Sequence, residues 1–283
     1  MRKAVIIRDK SKYAGTIATS FETLGFPLLG FDDDLTEFDY IIIFHNKLPP
    51  KLNTRPDAQI GWWMNDFRHP QEIDETGERN FTHIFLCNTH VLGAYQLYFG
   101  RPTFYMPQIG IDRPEKFSRN VRPIDWDVLF IDGSMHPKYH AFRRPYLDAI
   151  KNYRLKIIDG EKITTDQFLL YNQTPINLSM TLPLKLTTSN RLYNIISSRG
   201  FALVKYFPQM ERLFTNGEHL AWFHDIEEMN SLISYYMANP KERERIAKNG
   251  YELYKEKHTA VARFGNMLDI MSNKTKEFYG FLK

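Results

Sequence analysis

Tyr40–Phe44 reads YIIIF, five residues with no charged or small polar break. A strand with one face in water alternates apolar and polar residues. An unbroken run is the mark of a strand covered on both faces, as in the parallel sheet of an α/β domain. Similar runs stand at 4–7 (AVII), 60–64 (IGWWM), 83–87 (HIFLC) and 103–106 (TFYM), with a shorter one at 28–31. Between them, Ile17, Phe21 and Leu24 recur at helical spacing up to Gly25, and Val91, Leu92, Tyr95 and Tyr98 do the same. Repeated βα units imply a doubly wound sheet with right-handed crossovers.

The alternation lapses at 107–123, PQIGIDRPEKFSRNVRP, where three prolines and several basic residues intervene. It then restarts, with strands at 128–131, 155–158, Ile176–Ser179, Ala202–Lys205 and 220–223. Tyr139, Phe142, Tyr146 and Ile150 mark a helix among them. The tail is helical, through Ile226, Met229, Ile233 and Tyr236, then a helix opened by Pro240, then Val261, Phe264, Leu268 and Met271. The expected architecture is two Rossmann-like, doubly wound α/β domains facing a cleft. They occupy 1–112 and 125–262, joined by a linker at 113–124, with a last helical segment, 263–283, packing back on the first domain. Ligands of such sheets bind beyond the carboxyl ends of the strands. A two-part site follows from the architecture.

Composition narrows the function classes. Hydrophobic residues are 43% and charged residues 25% of the 283, ordinary globular usage. No apolar run approaches the roughly 20 residues that span a bilayer, and MRKAVIIRDK has too short an apolar stretch for a signal peptide. The single cysteine, Cys87, excludes an internal disulfide and a cysteine zinc cluster, and a cytoplasmic setting is expected. A formal charge of +4 permits an anionic partner without requiring one.

The stretch 176–200, INLSMTLPLKLTTSNRLYNIISSRG, is a buried strand, a hydroxyl-rich loop through Thr187, Thr188 and Ser189, and an amphipathic helix stopped at Gly200. Free N–H groups and the helix dipole make such a start an anion site, with Arg191 beside it. Plain N-capping with a surface arginine is the other reading. A second cationic source is the loop 133–136 with Gly133 and Ser134, followed by Lys138, Arg143 and Arg144, which also fits a solvated helix face. Asp66, closing IGWWMND, is the first candidate for a general base or an acceptor-hydroxyl ligand; a helix cap or a pair with Arg68 explains it equally. His45 and Asn46, past YIIIF, occupy a similar strand end. Gly15, in KSKYAGT, lies in a loop after the first strand. Asp32, Asp33 and Asp34 read as a solvated turn, and His136 and His140 lack a third ligand, so no metal is expected.

The second half resembles the group-1 glycosyltransferases of the GT-B fold, in the branch with spore-maturation (CgeB-type) transferases. INLS, then a Thr/Ser-x-Arg-Leu-Tyr helix, then PQMERLF, GEHLAWFHDIEEM and ANPKERERIAKNGYELYKEKHT follow the order of that family's segments. In the first half, WWMNDFRH and FYMPQIGID sit where the family has a strand end and a linker. The resemblance implies sugar transfer from a nucleotide-sugar, UDP- or GDP-linked, to an acceptor hydroxyl, with retention and with neither metal nor other cofactor. It implies a donor site drawn from Gly15, Gly133, Ser134, Lys138, Arg143, Thr188, Ser189, Arg191 and Asn194, the last standing where the family usually has a ribose-binding glutamate. Asp66 and His45 would serve catalysis. The acceptor stays open between a glycan or surface component and double-stranded DNA carrying hydroxymethylated bases. For DNA, Arg113, Lys116, Arg119 and Arg122 would meet phosphates, and Trp62, Trp63 and Phe67 an extruded base. A nucleotide-binding module without turnover is a further alternative, because Asn194 lacks the glutamate's charge.

Overall fold

The structure, a computed structural model, describes residues 4–8, 27–45, 47–64, 69–73, 77–110, 124–132, 137–160 and 167–276, with backbone alone for 4–8 and 137–140. The helix expected at 17–24 and the linker residues 113–123 lie outside these. Two compact units emerge. One comprises Met1–Asp112, Leu184–Thr188 and Thr259–Lys283, the other Arg113–Pro183 and Ser189–His258.

The first unit holds a parallel sheet of β1 (Ala4–Arg8), β2 (Leu28–Leu29), β3 (Tyr40–Phe44), β4 (Gln59–Met64), β5 (His83–Leu86) and β6 (Thr103–Tyr105), in the order β2-β1-β3-β4-β5-β6. The continuous apolar runs became its central strands, as double-sided burial requires: all of β3 and β4 beyond their first residues is buried. Helix α1 (Leu92–Phe99) ends at Gly100, whose left-handed φ of 63° lets its N–H reach the Gln96 carbonyl at 2.9 Å. Trp62 packs its ring against Phe81, Tyr95 and Phe99.

The second unit holds β7 (Val128–Asp132), α2 (Pro137–Asp148), β8 (Leu155–Asp159), α3 (Gln167–Gln173), β9 (Ile176–Ser179), α4 (Asn190–Ser197), β10 (Ala202–Lys205), β11 (Ala221–Phe223), α5 (Ile226–Ala238) and α6 (Pro240–Leu253). Its sheet is parallel, ordered β11-β10-β9-β7-β8. Val128, Phe130, Ile176, Leu178 and Leu203 form the core under Met229, Ile233 and Ile246. Each such burial contributes roughly 1.5–3 kcal/mol. Gly250 of α6 lies so close to the chain before β11 that an added Cβ would stand 2.3 Å from the His219 carbonyl oxygen.

Three features differ from the sequence reading. Helix α3 had no clear signal, because only Phe168, Leu170 and Tyr171 of its seven residues are buried. Leu184–Thr188 joins the first unit, where Tyr105 Oη donates to the Leu186 carbonyl at 2.9 Å and Thr89 Oγ1 to that of Lys185 at 2.7 Å. The last helix, α7 (Ala260–Met271), begins at its Thr259 cap and packs on β3 and β4 of the first unit. Gly61 makes room for it: a Cβ there would meet the Phe85 ring at 2.8 Å and Met271 Sδ at 3.0 Å.

Candidate functional site

In the second sheet the chain goes from β7 outward to β8, then returns to the far side of β7 as β9. Parallel strands leaving a sheet in opposite directions open a crevice at their carboxyl ends, the usual ligand address. Asp132 closes β7 there and is 1% exposed. Arg143 of α2 donates to its Oδ1 from Nη1 at 2.5 Å, and Arg191 of α4 from Nη2 at 3.3 Å. Both guanidinium groups also donate to the Met180 carbonyl at 3.2 Å, just past β9, and Arg191 Nε donates to the Ile131 carbonyl at 2.5 Å. The Arg191 guanidinium lies 4.3 Å above the Phe130 ring. Charged and main-chain acceptors thus pin two cations across the mouth of the crevice.

Among the described residues two guanidinium groups share the one carboxylate of Asp132, in a largely buried place. Arg191 spends its three nitrogens on Ile131, Met180 and Asp132. Among the described residues Arg143 uses Nε and Nη1 and leaves Nη2 uncommitted. The first is therefore mainly a strut and the second has donors to offer. At the start of α4, Ser189 is the cap: its Oγ accepts from the Leu192 N–H at 3.3 Å and lies 3.3 Å from Ser179 Oγ. Helix dipole, guanidinium groups and hydroxyls thus gather at the ends of β7 and β9.

Of the residues singled out from the sequence, Arg143, Ser189 and Arg191 come together here. Thr188, just before them in the chain, is fully buried, and among the described residues its Oγ1 has no hydrogen-bond partner. Asn194 sits in the middle of α4 at 2% exposure, its carbonyl accepting from the Ser198 hydroxyl at 2.5 Å. Gly15, Asp66, Gly133 and Ser134 lie outside the described residues, as does the side chain of Lys138. Asp132 was missed. An aspartate ending an apolar run is ordinary, and its partners lie 11 and 59 residues away.

Farther along the same edge, Lys205 at the end of β10 donates to the His224 carbonyl at 2.7 Å, and burial pushes its pKa down despite Asp225 and Glu228. The Tyr206 ring lies 4.7 Å from that of His224 and 5.9 Å from that of Trp222, a partly exposed aromatic group.

In the first sheet the corresponding switch falls between β1 and β3. His45 follows β3, its Nδ1 2.9 Å from the Lys47 carbonyl and its own carbonyl accepting from Trp62 Nε1 at 2.8 Å. Trp62 and Trp63 are both 0% exposed, so they are core residues and not a surface for an extruded base, which corrects the expectation from sequence. Asn46 and Phe67 lie outside the described residues. The acidic run is a hydrogen-bonded turn: Asp33 accepts from the Gly30 N–H at 2.6 Å, and Asp34 from the Thr36 N–H at 3.0 Å and from Asn53 at 3.1 Å. Among the described residues no group of His, Cys, Asp and Glu is placed to hold a metal, and no helix is long and apolar enough to cross a membrane.

The family described as "Glycosyl transferase-like" matches residues 143–269, a span holding Arg143, Ser189, Arg191 and Asn194 but not Asp132. No curated protein sequence matches the chain. Many solved structures share its architecture, among them the three that follow. An α-glucosyltransferase in complex with UDP and a 13-mer DNA containing an HMU base superposes with a TM-score of 0.64 at 9% identity, over 96% of this chain and 99% of that one. HepE of Anabaena, in complex with UDP and glucose, gives 0.57 at 10% identity, over 96% and 100%. BGT of phage T4, in complex with its UDP-glucose substrate, gives 0.54 at 11% identity, over 98% and 99%. The structural likeness shows the GT-B fold of two Rossmann-like domains, and residues 143–269 carry the match to the glycosyl transferase-like family.

Proposed function

We propose that the chain moves a sugar from a UDP-sugar to an acceptor hydroxyl, with retention and without a metal. The observation that carries this is the pair Arg143 and Arg191 on Asp132, at the switch point of the second sheet. Loss of a nucleoside diphosphate builds negative charge on the leaving group. Preorganised cations and a helix start stabilise that charge because they need not reorganise as it forms. In this reading the Nη2 donors of Arg143 take the diphosphate and Arg191 holds the crevice in shape. Ser189 and the first N–H groups of α4 complete the cradle, and the arginines supply the charge that a divalent cation supplies in metal-dependent transferases. The base would extend toward Tyr206, beside the carboxyl end of β10. UDP is favoured over GDP because HepE, the α-glucosyltransferase and phage T4 BGT are all complexed with UDP or UDP-glucose. His45 and Asp66 are the proposed acceptor-side groups.

The test is UDP release from UDP-glucose with and without acceptor, beside thermal shifts with UDP and GDP. A ligand that binds only the native state raises the melting temperature. A larger shift with UDP and release in EDTA are expected. No shift and no release with any nucleotide-sugar would overturn the reading.

A second reading makes duplex DNA the acceptor, favoured by the likeness to the DNA-bound α-glucosyltransferase. Phosphate contacts make such binding steeply salt-dependent. A salt titration with hydroxymethylated duplex decides it, and no affinity at low salt removes DNA from consideration.

A further inference from the structure

A second cleft, of about 560 Å³, opens on the opposite, amino edge of the second sheet. Its walls are the end of α3 with the turn into β9, the turn between α4 and β10, and one face of α6. Three cations line it: Arg199, Arg243 and Lys248. At the donor crevice both guanidinium groups are tied to a carboxylate. Here Arg199 and Lys248 make no ion pair or side-chain hydrogen bond among the described residues, and Arg199 rests only on the Tyr251 ring, at 4.5 Å. Arg243 donates to the Tyr236 carbonyl, and burial pushes its pKa down against the nearby Glu244. Of the two carboxylates on the rim, Glu252 is paired with Lys255 at 2.7 Å. Gln173 adds a buried amide nitrogen, Nε2, with no partner among the described residues.

Arg199 is also in the wrong backbone region for its type. Its φ is +58°, the left-handed residue that ends α4, where glycine is the usual occupant. The next residue is the glycine, and it is fixed in place: a Cβ on Gly200 would lie 2.6 Å from the Tyr171 carbonyl oxygen. A non-glycine residue held there at a cost points to a role for its side chain.

We infer that this cleft is a second ligand site, taking a small phosphorylated molecule such as a sugar phosphate or a nucleoside monophosphate. Donors without acceptors call for an anion, and arginine forks match phosphate oxygens. The volume suits a metabolite of that size. Its place on the amino edge of the strands separates it from the crevice at Asp132.

The inference is tested by calorimetric titration of the full chain with glucose 6-phosphate, UMP and inorganic phosphate, for the native protein and for Arg199→Gly and Lys248→Gln. Arg199→Gly should fold at least as well, since it relieves the left-handed strain, yet weaken binding at least about tenfold, the loss expected for a charge-assisted contact. Lys248→Gln should weaken it in the same direction. Preference for glucose 6-phosphate or for UMP identifies the source of the phosphate, and tight binding of inorganic phosphate alone identifies a free-phosphate site. No binding by the native protein, or binding unchanged in Arg199→Gly, overturns the inference. Arg199-dependent binding of duplex DNA without binding of any small phosphate also overturns it.

Discussion

The two sheets share a topology and differ in what stands at its switch point. Both run outward by one strand, return past the first, and continue on the other side. In the second, the strand ends carry Asp132 with Arg143 and Arg191 and face the start of α4. In the first, the ends of β3 and β4 are aromatic, with the Phe44 and Trp63 rings 5.0 Å apart and His45 as the polar group among the described residues. Topology thus supplies the address and side chains decide the chemistry. Among the described residues the second address carries two guanidinium groups on one carboxylate, whereas the first offers hydrogen bonds.

Asp132→Ala should have the largest effect. It leaves two mostly buried guanidinium groups facing each other without their carboxylate, and breaking such a set costs about 3–5 kcal/mol. Chemical denaturation should show that loss, and UDP-glucose turnover should fall with it. Asp132→Asn keeps the shape and an acceptor oxygen, so it should lose less stability while still loosening both arginines. Equal stability of the Ala variant and the native chain would mean that the ion set is not what holds the crevice.

The two sheets should also answer differently to an added methyl group beside a glycine. In Gly250→Ala the new Cβ meets the His219 backbone at 2.3 Å, so α6 must move, at a cost of about 1–3 kcal/mol. In Gly61→Ala it meets the ends of the Phe85 and Met271 side chains. These can turn aside, and the loss should be smaller. Thermal melts of the two variants make the comparison. A greater loss for Gly61→Ala would place the tighter packing in the first unit.

These contrasts show how much was legible in the chain. Tyr40–Phe44, Ile176–Ser179 and Ala202–Lys205 match their strands to the residue, because burial on both faces leaves no alternative for such apolar runs. Ser189 and Arg191 were legible because capping and helix entry are local. Asp132 and the strap Leu184–Thr188 were not, since their partners are distant in sequence: Arg191 for the first, Thr89 and Tyr105 for the second. Arg199 was hidden by its neighbour, because Gly200 looked like the residue that ends α4.

His45→Ala probes the milder address. If the first sheet serves the acceptor, the variant should lower transfer about tenfold, the worth of one lost hydrogen bond to a reacting group, and leave UDP affinity unchanged. An altered UDP affinity would put His45 on the donor side and erase the division of labour between the sheets.

The smallest effect is a pH dependence confined to the first unit. His83 opens β5 with its ring stacked near those of Phe85 and Phe104, and burial holds its pKa below the usual value. The native state therefore resists its protonation while the unfolded chain accepts a proton near pH ~6.5. The unfolded state binds more protons in that window, so stability is complete above it and declines as the pH falls toward the native pKa. Melting followed from pH ~7.5 to ~5 should show the decline. His83→Phe, which keeps the ring and removes the titration, should flatten it. A slope that survives in the variant would assign it to other groups, and a rise on acidification would reverse the sign that burial dictates.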